Sequence, residues 1–138
     1  MAKENDVLDL SYLSDFVRRQ NEGIDHKIVL PNGKEMGLTI KIVGPDSDRA
    51  GKAISATQQE FAAQATKIET DDQEETERSR RFAYAAKCCV SMTPPVIKIG
   101  EEEFKANEDD FRRLFTKMRF IGDQAYGHAI SRSDFIES

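Results

Sequence analysis

From Asp46 to about Met92 nearly every residue of this chain favours a helix, and that stretch limits the fold more than any other. Drawn as one rod it would run roughly 70 Å at about 1.5 Å per residue. A domain of this length has a radius of gyration of only about 14 Å. The rod must therefore break, and "IETDDQEETERSRR" offers the place. Thr70 and Asp71 are good N-caps, with Gln73 and Glu74 three residues on as capping-box partners. Acids lead and arginines follow, the order that the dipole of a new helix favours. Two helices are expected, about 46–68 and 72–92. Ala50, Ile54, Thr57, Phe61, Ala65 and Ile68 stripe the first; Phe82, Ala86, Cys89 and Val90 stripe the second, which Pro94-Pro95 closes.

Either side of this block the periodicity changes. Residues 1–25 form a short helix or an arm, with Val7, Leu10, Leu13, Phe16 and Val17 at helical spacing. Ile28 and Leu30 precede Pro31-Asn32-Gly33, after which Leu38, Ile40 and Ile42 alternate with Thr39 and Lys41. That pattern reads as a β-hairpin over about 26–44. A short strand pair around 96–104 turns at Gly100. Asn107 then caps C-terminal helices over about 107–132, marked by Phe111, Leu114, Phe115, Met118 and Ile121. Gly122 and Gly127 each weaken that segment by about 1 kcal/mol relative to Ala, and Phe135 packs back at the end. The expectation is an α+β fold, a mostly helical single domain of four to five helices.

Composition narrows the function. The net charge is −5, with a third of the residues charged, so no broad basic footprint for DNA or RNA exists. The basic cluster Arg78, Arg80, Arg81 lacks interleaved aromatics and follows a run of acids. No apolar run approaches the roughly 20 residues of a membrane span, and "MAKENDVLDLSY" has no hydrophobic signal core. Cys88 and Cys89 are adjacent, where a mutual disulfide would strain the backbone. A reducing cytoplasm is the expected location.

Motifs for chemistry fail on inspection. "IKIVGPDSDRAGKA" places Gly51-Lys52 at a strand-to-helix junction, like a phosphate loop. The first glycine of that motif is Asp46 here, and Ala53 stands where a magnesium-binding hydroxyl is needed. A calcium loop fares no better, with Ala50 fifth and Thr57 twelfth. Asp46 or Ser47 is instead expected to cap the helix. His26 and His128 lie far apart, neither with a second ligand at helical spacing, so structural roles and no metal are expected. Acidic runs such as "GEEEF" and "NEDD" read as solvated faces and caps rather than catalytic pairs. No enzyme and no cofactor is expected. What remains is a protein-binding surface: Phe120, Ile121 and Tyr126 are the candidate partner-binding residues, with Phe120 and Tyr126 off the apolar stripe. The hairpin edge is a second candidate.

Three segments carry a family resemblance. "IKIVGPDSDRAGKA" is similar to a β-strand, "GPDS" and a helix beginning with Arg or Lys. "RFAYAAKCCVSM" running into "PPVIKIGEEEF" is similar to an alanine-rich helix before a short hairpin. "NEDDFRRLFTKMRFIGDQAYGHAISRSDFI" is similar to a capped helix, an aromatic-Ile step, a charged helix and a closing "R.(N/D)F". Phe120-Ile121 stands where Trp-Ile is frequent. On these residues the chain resembles the tail assembly chaperones of long-tailed bacteriophages and prophages. The resemblance implies a non-enzymatic protein of the host cytoplasm that binds the tape measure protein and tail tube subunits during tail morphogenesis and is absent from the virion. Two other readings are a structural tail component, such as a tube or terminator protein, and a small nucleotide-binding protein built on Gly51-Lys52.

Overall fold

The computed structural model describes residues 7–62 and 73–136. In chain order these form α1 (Leu13–Glu22), β1 (Ile24–Val29), β2 (Glu35–Ile42), α2 (Asp48–Ala62), α3 (Gln73–Cys88), β3 (Cys89–Thr93), β4 (Val96–Ile99), β5 (Glu102–Lys105), α4 (Glu108–Lys117), α5 (Arg119–Ala129) and a 3-10 turn, Ser133–Phe135. The fold is α+β, with a three-stranded antiparallel sheet in the order β1-β2-β3 and a separate hairpin, β4-β5.

The first hairpin forms where the alternation places it. Leu38, Ile40 and Ile42 point inward and are buried. Gly33 takes φ 88°, a left-handed conformation that glycine adopts without strain. The Asn32 carboxamide oxygen accepts from the Lys34 amide at 3.1 Å. At the start of α2 the Ser47 hydroxyl accepts the Ala50 amide at 3.1 Å, so Ser47 caps the helix and Asp46 is left for another task. Of the expected α2 stripe, Ala50, Thr57 and Phe61 are buried whereas Ile54 is 43% exposed. The caps at Thr70 and Asp71 and the stripe members Ala65 and Ile68 lie outside the described residues.

The second helix ends earlier than its sequence suggests. α3 stops at Cys88, and residues 89–93 form a strand that pairs with β2, Ile40 opposite Met92. Periodicity alone reads Cys89 and Val90 as the continuation of a helical stripe. The open edge of β2 offers a ladder that overrides this local preference. Arg49 secures the change of direction: its Nε donates to the Lys87 carbonyl at 2.7 Å and its Nη2 to the Cys89 carbonyl at 3.2 Å. Those groups would otherwise be orphaned at the helix end.

The core gathers Phe82, Phe104, Phe111, Leu114, Phe115 and Ile121 between α3, the C-terminal helices and the sheet. Asn107 caps α4 as expected, accepting the Asp110 amide at 2.8 Å. The C-terminal segment is two helices, broken at Met118, whose φ −119° and ψ 84° are not helical. Gly122 lies at the crossing of α5 over α3. A Cβ there would come within 2.6 Å of the Phe82 ring and 2.8 Å of the Phe115 Cβ. Its low helix propensity is thus offset by a backbone approach that a larger residue would block. Phe135 is buried against the body as expected.

Candidate functional site

The "GPDS" junction is filled by the protein itself. Gln20, fully buried on α1, accepts the Asp46 amide through Oε1 at 2.7 Å and donates from Nε2 to the Asp46 carboxylate at 3.1 Å. Arg132 reaches the same carboxylate with two bonds of 2.8 and 2.9 Å. The Arg132 hydrogen bond, helped by that from Gln20, holds the Asp46 carboxyl below the usual carboxylate range. The Asp48 amide is taken by the Asn21 side chain at 2.8 Å. Amides that would cradle a phosphate are already bonded within the chain. The loop is a clasp joining α1, the start of α2 and the C-terminal segment.

Beside this clasp, α2, α3 and α5 leave an open groove of about 510 Å³. Ile54, Tyr84, Tyr126 and Ile130 form its apolar part. Tyr84 and Tyr126 meet edge to face, centroids 6.3 Å apart at 77°. Three arginines line it as well, Arg80, Arg81 and Arg132. Arg81 stacks over the Tyr126 ring at 6.0 Å and Arg80 over the Phe61 ring at 5.7 Å. Two groove residues carry buried polar atoms with no hydrogen-bond partner among the described residues: Thr57 Oγ1 and Arg80 Nε. Such atoms are uncommon in folded proteins.

The three candidate partner-binding residues divide. Tyr126 lies in the groove, half-buried. Phe120 is half-buried against the core rather than free. Ile121 is 1% exposed and packs inside, so it supports α5 instead of offering contact area. The hairpin edge is also altered from expectation. The Gln124 carboxamide bonds both backbone groups of Val29, accepting the amide at 3.0 Å and donating to the carbonyl at 2.8 Å. A side chain thus occupies the position of a neighbouring strand at the end of β1.

Sequence reading missed Ile54, Tyr84 and Arg80 as groove residues. They come from two helices whose mutual approach depends on tertiary packing, which no local pattern in the sequence reports. It also set the two histidines apart, and the fold brings them together. His26 on β1 and His128 on α5 stack with centroids 3.7 Å apart and an interplanar angle of 18°. Asp134 Oδ2 lies 3.4 Å from His128 Nδ1.

The cysteines, by contrast, are silent. Both are free and buried. Burial pushes the Cys88 thiol up to about 11 and the Cys89 thiol well above its usual value, which suppresses the thiolate needed for nucleophilic attack. Of the acidic runs, Glu102 pairs with Lys117 and Arg113, and Asp110 bonds Arg113 and the Lys105 amide. No helix among the described residues is long and apolar enough to cross a membrane. Comparison of the chain with family models, curated proteins and solved structures gives no match.

Proposed function

We propose that this chain is a non-enzymatic tail assembly chaperone that holds a helical segment of the tape measure protein, and through it assembles tail tube subunits, in the host cytoplasm. The reading rests on the resemblance of three segments together with one structural observation: the open α2–α3–α5 groove, lined by Ile54, Tyr84 and Tyr126 and by Arg80, Arg81 and Arg132. An amphipathic helix laid in such a groove places apolar side chains on Ile54, Tyr84 and Tyr126 and acidic side chains on Arg80 and Arg81. A long client offers many such segments, so modest individual contacts add up along one chain.

Co-expression tests it. The full chain and the tape measure protein of the same genome should co-purify, with more of the client recovered in the soluble fraction. Replacing Tyr126 with Ala and Arg81 with Glu together should lower that recovery about tenfold or more while the chaperone still melts cooperatively, since a contact pair worth 1.4 kcal/mol is a factor of ten. Absence of co-purification with the unmodified chain would overturn the reading.

A further inference from the structure

We propose that His26, His128 and Asp134 form a divalent transition-metal site, best suited to zinc, that ties the first strand to the last helix and the C-terminal turn. The proposal is independent of the groove and of the chaperone reading. One potential ligand atom from each residue lies within 4.8 Å of the other two. His26 Nε2 is buried and has no hydrogen-bond partner among the described residues, an orphaned nitrogen beside a second imidazole and a carboxylate. Two imidazoles and one carboxylate are the donor set that borderline ions such as Zn²⁺ prefer, whereas calcium and magnesium favour all-oxygen sites.

The geometry sets what must move. Ligands about 2.0–2.1 Å from a tetrahedral ion stand roughly 3.3–3.5 Å from one another, so the three atoms draw in by about 1 Å or slightly more. Two nearly parallel rings do not aim their lone pairs at one point. His128, a third exposed, has to turn for its lone pair to converge with those of His26 and Asp134. Three protein ligands leave the fourth position of a tetrahedral ion to water. Neither Cys88 nor Cys89 belongs to this cluster.

Titrating the full chain with zinc chloride at neutral pH in a non-coordinating buffer decides the matter. One equivalent should bind, and the melting temperature should rise by about 8 °C at a zinc concentration 100 times the dissociation constant. His128→Gln should weaken binding at least about 100-fold. Asp134→Asn, an exposed change outside the core, should weaken it about tenfold or more. Cobalt substituted for zinc should give a tetrahedral visible spectrum without a thiolate charge-transfer band. No saturable zinc binding overturns the proposal, as does equal binding by His128→Gln, or a thiolate band. Should His26→Gln fail to fold, the His128 and Asp134 variants carry the test.

Discussion

α1 and α5 are amphipathic helices of 10 and 11 residues, and the protein treats them in opposite ways. α5 buries Ile121, Gly122, Ala125 and Ala129 against α3 and the sheet. α1 buries only Gln20. Its apolar residues Leu13 and Val17, with Val7, Leu8, Leu10 and Tyr12 before them, remain exposed. The difference lies in what each stripe is made of. Small residues let the α5 backbone come close, and the Phe82 ring fills the space above Gly122. α1 is fastened by polar side chains instead, Gln20 against Gly44 and Asp46 and Asn21 on the Asp48 amide, and most of its bulky residues turn outward. An amphipathic pattern specifies an apolar face, but not whether the same chain covers it.

The contrast can be broken most forcefully on the α5 side. Phe82→Ala removes a ring that is 2% exposed and packs on both Gly122 and Phe115. Denaturant unfolding should show a loss of about 3–5 kcal/mol. A loss below about 1 kcal/mol would mean that α5 is not docked as described.

A smaller change tests the tether of α1. Gln20→Ala leaves the Asp46 amide without its acceptor and deprives the carboxylate of one donor, though Arg132 remains. A loss of roughly 1–3 kcal/mol is expected. Hydrogen exchange should accelerate across 13–22 while 119–129 keeps its protection; equal acceleration in both helices would refute a local tether.

The smallest effect sharpens the comparison. Val17→Ser should shift stability by no more than about 0.5 kcal/mol, as at other exposed positions. A loss above about 2 kcal/mol would show that this face is packed in solution, and sedimentation would then reveal whether a second copy covers it.

Local signals carried most of the fold. Asn32-Gly33, the alternation through Leu38 and Ile42, and the capping Asn107 each act over a few residues, and the elements formed where those residues placed them. β3 was hidden because its reason lies elsewhere in the chain: Cys89 to Thr93 become a strand since β2 has a free edge and Arg49 satisfies the helix end. The site was half legible. Tyr126 is recognisable as lying off its stripe, but Arg80 and Tyr84 acquire meaning only from the neighbours that packing supplies. His26 and His128 show the limit most sharply, because helical spacing rules see ligands within a turn and cannot see a strand meeting a helix.

The Gln124 carboxamide on Val29 reaches beyond its own two bonds. It occupies one border of the three-stranded sheet at that point. An incoming strand on that border must first displace Gln124, so the end of β1 is guarded against edge-to-edge pairing by a side chain of the protein itself.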